Sequence, residues 1–131
     1  MGSLKERLEA ASKAVQTLAE LIHLERVNPI ERDATIQRFE YSFETVWKAA
    51  KHYLREHEGI DVASPKGVIR ACREIGLLND KETEQALVMA DDRNLTVHTY
   101  NDRLAQEIYL RIKGHYPLLE TWLGRLQERT K

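Results

Sequence analysis

The chain has 131 residues, 20 Lys plus Arg against 21 Asp plus Glu, and one cysteine. That length suits a single domain, taken here as residues 1–131, whose core needs no metal or disulfide. The balanced charge excludes a global basic field, so any contact with nucleic acid must be local. With Cys72 alone no internal disulfide can form, which fits a reducing compartment. The start, MGSLKERLEA, is charged and amphipathic and lacks the apolar stretch of a signal peptide. The apolar runs are far too short to span a membrane. A cytoplasmic protein is expected.

In the first segment Leu4, Leu8, Ala11, Val15, Leu18 and Ile22 recur every three or four residues and predict a helix with one narrow apolar stripe. Ala10, Ala14 and Leu21 make a weaker second stripe, as if the helix had two neighbours. NPIERD, residues 28–33, reads as a break, since proline cannot continue a helix. A second helix follows in RFEYSFETVWKAAKHYL. Its face carries Phe39, Phe43, Val46, Trp47, Ala50, Tyr53 and Leu54, beside a ladder of Glu40, Glu44, Lys48, Lys51 and Arg55. Gly59 is its stop signal. SPKGVIRACREIG predicts a short third helix with Ser64 as cap, Pro65 in the first turn and Gly76 at the end.

The fourth helix is expected to begin at Asp80 as cap, with Glu82 and Glu84 in its first turn, and to run through RNLTVHTY to a break at TYND, residues 99–102. A long fifth helix starts near Asp102, where Leu104, Ile108, Ile112, Leu119, Trp122 and Leu126 stay in phase across Pro117. That phase implies a kinked helix rather than two. Strand alternation, repeats and glycine-rich phosphate loops are absent from the sequence. The pattern is all-α: an antiparallel four-helix-type up-and-down bundle with an extra short helix.

The fourth helix carries the unusual residues. At ~100° per residue, Ala86, Met89, Ala90, Arg93 and Val97 share a face, and Leu87, Asp91, Asn94 and His98 the next. Arg93 on an apolar stripe needs a carboxylate, an anion or a route to solvent. Asp91, Asp92, Glu40 and Glu44 are the carboxylates within plausible reach. Asn94 and His98 are four apart and can touch, whereas Arg93 and His98 lie ~140° apart and one straight helix holds them poorly for one ligand.

The octet Arg93-Asn94-Leu95-Thr96-Val97-His98-Thr99-Tyr100 resembles the signature of the HEPN superfamily. RFEYSFETVWKAAKHYL, SPKGVIRACREIGLL and DDRNLTVHTYN follow in the order and spacing of its nucleotidyltransferase substrate-binding branch, from about residue 36 to about residue 116. The resemblance implies a helical homodimer that binds a minimal nucleotidyltransferase. It also implies one of two roles: a toxin-type, metal-independent endoribonuclease acting on RNA, or a non-catalytic subunit that presents substrate to its partner. For the nuclease it implies His98 as acid/base, Arg93 as phosphate clamp, Asn94 as support and Tyr100 as a contact or AMPylation site. The residue types suit that chemistry. Histidine transfers protons near neutral pH, and arginine is a fixed bidentate donor for phosphoryl charge.

Other groupings point elsewhere. Asp91 and His98 are seven apart, too far to chelate one metal without a third group, so no metal or cofactor is expected. His52 and His57 read as surface, Cys72 as core. Trp47, Trp122, Phe39 and Phe43 read as core or interface. Lys48, Lys51, Arg55, Lys66, Arg70 and Arg73 form a basic stretch, a solvated face that can also track an RNA backbone or an acidic partner. Apolar residues on opposing sides of the fourth helix imply a dimer in which two such helices meet beside a two-fold axis.

Overall fold

The computed structural model describes residues 2–131. Five helices account for the fold: α1 (Leu4–Ile22), α2 (Pro29–Glu58), α3 (Pro65–Glu74), α4 (Asp80–Leu95) and α5 (Asp102–Arg129). The described residues contain no strand. The all-α bundle expected from the periodicity is what the chain forms.

Contacts between helices set the topology. Arg32 on α2 meets Asp102 at the start of α5, and Glu58 at the end of α2 meets Arg129 at the end of α5. These two long helices therefore run in the same direction. Antiparallel to both runs α1: the Arg38 guanidinium donates to the Thr17 carbonyl at 2.8 Å, and Lys113 to the Leu24 carbonyl at 3.0 Å. Antiparallel as well runs α4, whose Glu82 pairs with Arg125 and Asp92 with Arg111. The order is up, down, up, down. α2 and α5 form the central pair, α1 and α4 flank them without touching each other, and α3 packs on α2 and α4.

The core follows the apolar stripes. Buried on α1 are Leu4, Leu8, Ala11, Val15, Leu18 and Ile22, the predicted stripe. Its weaker stripe stays toward solvent, with Ala10 exposed and Ala14 and Leu21 half-buried. Phe39, Phe43 and Trp122 are fully enclosed, and Trp47 nearly so. Cys72 is buried, and burial pushes its thiol up to about 12, so it is an inert core residue.

Two helix starts differ from the sequence reading. NPIERD is the beginning of α2 rather than a break: Asn28 caps it reciprocally with Glu31, and Pro29 takes the first position, where its missing N–H costs nothing. The cap of α4 is Asn79, not Asp80. Its side chain accepts from the Glu82 amide at 2.8 Å, while Glu82 accepts from the Asn79 amide at 2.9 Å. Asp80 is the first helical residue and pairs instead with Arg73. Gly59 and Gly76 do end α2 and α3, at φ of 66° and 76°, the left-handed region that glycine enters without strain. α5 is one helix with Pro117 inside it. Near that proline, which deprives a carbonyl one turn back of its donor, Gln85 from α4 donates to the Gly114 carbonyl at 2.9 Å.

Candidate functional site

The fourth helix does not run through RNLTVHTY. It stops at Leu95 and tightens into a 3-10 turn over Thr96–His98. The sequence makes it do so. Thr96, Val97 and Thr99 are β-branched and crowd a helix. The threonine hydroxyls also bond back to the chain, Thr96 to the Arg93 carbonyl at 2.7 Å and Thr99 to the Thr96 carbonyl at 2.9 Å. Asn101 then caps α5, its side chain accepting from the Leu104 amide at 3.1 Å.

The change of helix type redirects the side chains. A 3-10 turn advances ~120° per residue instead of ~100°, so angles counted on one ideal helix fail beyond Leu95. Val97, expected beside Arg93 on the apolar face, is 70% exposed, and His98 is exposed as well. Tyr100 is 85% exposed, and its ring meets that of His98 edge-on at 6.1 Å between centroids. The histidine is thus not packed into the core, and the tyrosine hydroxyl is open to a second protein.

Arg93 points the other way, to α2, where it is bound to Glu44. Of the carboxylates weighed from sequence, the glutamate ladder holds it. Burial pushes the Glu44 carboxyl up, but its neighbours outweigh that, Arg93 and Lys48 among them, and the group stays below its ordinary value. Arg93 also donates to the Asn94 side-chain oxygen at 3.3 Å. A groove of about 450 Å³ lies here, lined by Phe43 of α2, by Ala90, Arg93 and Asn94 of α4, and by Ser64, Pro65 and Lys66 at the start of α3. His98 and Tyr100 lie outside it. One chain therefore gathers the motif into two adjoining places: Arg93 and Asn94 in a groove, His98 and Tyr100 on the turn beyond.

Beneath the motif lies a cluster that the sequence reading missed. Asp92 is 3% exposed and His115 5%. The Arg111 guanidinium grips both Asp92 oxygens, at 2.9–3.1 Å, and His115 Nε2 lies 2.7 Å from Asp92 Oδ2. The imidazole stacks on Phe39, with centroids 6.0 Å apart. Burial pushes the Asp92 carboxyl up, yet the hydrogen bonds from Arg111 and His115 outweigh it and hold it below its usual range. A signal was there: Asp92 is three residues beyond the buried Met89, and Arg111 and His115 are four apart beside the Ile108–Ile112 stripe. No group of three or more His, Cys, Asp or Glu suited to a metal occurs among the described residues. No described helix is long and apolar enough to cross a membrane. His57 is exposed, and the basic stretch is largely a solvated face in which Lys48, Lys66 and Arg73 pair with Glu44, Asp91 and Asp80.

A five-helix bundle that displays an Arg, Asn, His and Tyr where α4 breaks defines the class. Residues 6–128 match the family described as nucleotidyltransferase substrate binding protein like, and the chain belongs to that family. A crystal structure of a protein from Thermus thermophilus shares 59% identity, with a TM-score of 0.86 over 88% of this chain and 98% of that one. A crystal structure of a mutant of the toxin-antitoxin MntA–HpeT matches in fold at 14% identity and a TM-score of 0.78, over 95% of this chain and 97% of that one. A toxin-antitoxin crystal structure with AMP-PNP does so at 14% and 0.74, over 96% and 99%. Comparison with curated proteins returned no match.

Asp92 gives a direct test of the buried cluster. Changing it to asparagine removes the charge that Arg111 balances and the carboxylate oxygen that His115 meets, and the expected loss is about 2–4 kcal/mol in urea unfolding at neutral pH. The folded carboxyl titrates below its ordinary value of 3.8, so its contribution is complete above that value and is lost as pH falls through the lower, folded one. Asp92→Asn must therefore flatten the acid limb of the stability curve. A limb parallel to that of the unsubstituted protein would show that the carboxylate contributes nothing there.

Proposed function

We propose that this protein is a toxin of the HEPN superfamily, a metal-independent endoribonuclease held in check by a minimal nucleotidyltransferase that binds it. The observation that carries this reading is the display of His98 and Tyr100 on an open turn directly beyond Arg93 and Asn94. The likeness in fold to MntA–HpeT, a toxin-antitoxin pair, supports a partner of that kind. In the reaction a ribose 2′-hydroxyl attacks the adjoining phosphorus and gives its proton to His98. The bond from phosphorus to the 5′ oxygen breaks, that oxygen takes up a proton, and a 2′,3′-cyclic phosphate remains. Arg93 faces the charge that develops on the phosphoryl oxygens, and Asn94 orients the phosphate or the imidazole.

One observation favours a second reading, a subunit that presents substrate without cutting. Arg93 already has a carboxylate partner in Glu44, and a clamp so neutralised takes a phosphate only by exchange. The two readings separate on His98. In the nuclease, expression of the chain alone arrests growth and cleaves RNA, and His98→Ala abolishes both, with activity down at least about a hundredfold. Because His98 is exposed, the same variant keeps its stability to within about 0.5 kcal/mol. Unaltered arrest by His98→Ala removes His98 as the catalytic group, and no arrest by the unsubstituted chain leaves the presenting subunit.

Tyr100 is proposed as the point of control. The partner transfers AMP from ATP: the phenol oxygen attacks the α-phosphorus and pyrophosphate leaves. Intact mass after incubation with the nucleotidyltransferase and ATP should rise by one AMP, and Tyr100→Phe should show no gain. An adduct that persists in Tyr100→Phe removes this site.

The active unit is proposed to be a homodimer with the two motifs beside a two-fold axis. Support comes from Val88, Val97 and Tyr100, apolar or aromatic side chains left partly or wholly uncovered along α4 and its turn. Light scattering at micromolar concentration should give twice the chain mass. A Val97→Asp variant should shift it toward one chain, and a monomeric mass for the unsubstituted protein rules the assembly out.

A further inference from the structure

We propose that the groove between the start of α3 and the last turns of α4 is a seat for a nucleotide phosphate, in which Lys66 is a second cation opposite Arg93. The proposal rests on the reading of Arg93 as a phosphate clamp and adds to it a wall from another helix. The groove, at about 450 Å³, is in the range of small-ligand sites. Lys66, Arg93, Asn94 and Ser64 line it with polar groups, and Pro65 lines it beside the buried Phe43 and Ala90. Two cations in one small groove suit the phosphate of a nucleotide.

Charge accounts for how the seat fills. Each cation is held by one carboxylate that does not line the groove: Lys66 by Asp91 at 2.6 Å, Arg93 by Glu44. The Lys66 and Asp91 side chains are 42% and 59% exposed, and ion pairs so open to water are cheap to separate. A phosphate offers more acceptor oxygens than a carboxylate and matches the guanidinium fork, so it can take over both cations at once. The start of α3 supplies further donors. Pro65 has no N–H, the Gly67 amide goes to Ser64 Oγ at 3.0 Å and the Val68 amide to the Ser64 carbonyl at 2.9 Å. The Ser64 and Lys66 amides are left over at the positive end of the helix. A free nucleotide and a nucleotide within an RNA strand present the same chemistry to this seat.

Two probes distinguish those sources: AMP, and a 2′-O-methyl RNA hexamer that cannot be cleaved because its 2′ oxygen is blocked. Both are titrated into the full chain, with binding read by calorimetry and by amide NMR shifts. Shifts are expected at Lys66, Ala90, Arg93 and Asn94, which line the groove. Lys66→Ala and Lys66→Gln should each weaken the hexamer by about five- to tenfold and lower its salt slope by about 0.7. Glu44→Gln should tighten both probes severalfold, because it releases Arg93. A hexamer that binds much more tightly than AMP assigns the seat to an RNA strand, and equal affinities assign it to a free nucleotide. The groove is ruled out if both Lys66 variants bind like the unsubstituted protein, if the shifts fall elsewhere, or if neither probe binds at about 5 mM. His98→Ala separates this from the nuclease reading. Binding in the groove by a protein that never cleaves RNA removes only the nuclease. Cleavage by a protein whose binding ignores Lys66 removes only the groove.

Discussion

Asp92 sits almost wholly out of water, and a carboxylate in that position is tolerable only where charge and hydrogen bonds replace its hydration. All of them come from α5. Arg111 and His115 are one turn apart on one face, so both can reach Asp92 only when α4 crosses α5 at one height and one rotation. At the other end of the pair Arg125 grips both oxygens of Glu82, at 2.7 and 2.9 Å, and repeats the restraint nearer to solvent. Two charged clamps thus fix α4 along its length, while the apolar contacts around them tolerate small slips. The consequence reaches the motif directly. Arg93 is the next residue, ~100° around the helix from Asp92. Once Asp92 is pinned to α5, Arg93 is turned toward α2 and meets Glu44.

The restraint ends where α4 ends. Beyond Leu95 the chain must reach Asp102, whose carboxylate meets Arg32 at the foot of α2, 2.9 Å away. The span between these two anchors is a 3-10 turn and a short connection, held by Thr96, Thr99 and Asn101 through local bonds. Little of that span is committed to the core: Thr96 is buried, but Val97, His98 and Tyr100 face outward. The division is functional in form. One part of the motif belongs to a helix held by buried charge, where geometry is stiff. The other belongs to a turn whose His98 and Tyr100 side chains stand in solvent.

Much of this was legible in the sequence, and the reasons differ from element to element. The stripe from Leu4 to Ile22 and the one from Phe39 to Leu54 were read correctly because burial against a single layer leaves a period of 3.6 in the residues themselves. Ser64, Pro65, Gly59 and Gly76 were legible because caps and left-handed positions restrict residue type. NPIERD was misread because Pro29 both forbids a helix before it and starts one after it. The choice between Asn79 and Asp80 turned on a three-residue spacing to Glu82 that only one of them satisfies. The turn in RNLTVHTY was missed because helical angles were carried across it, though Thr96, Val97 and Thr99 announce it. Asp92, Arg111 and His115 were illegible as a set, since nothing local ties a carboxylate on one helix to two bases on another.

The arrangement of charge bears on how any ligand reaches this face. The chain has 20 basic and 21 acidic side chains, and the cations nearest the motif, Arg93, Lys66 and Arg111, are each already paired. No long-range field gathers an anion here. An anion that binds here as proposed must do so by exchange, replacing a carboxylate on a cation that keeps its place. The three pairs are graded for it. Arg111 is locked to a buried aspartate and serves the fold. Lys66 and Asp91 are largely exposed and separate easily. Arg93 and Glu44 lie between, each about one-third exposed. An arginine in that middle position is held for geometry yet is not spent, because the carboxylate that balances it can turn to water when a better anion comes. That is the condition under which an arginine can serve as structural partner in the resting protein and as a clamp in the liganded one.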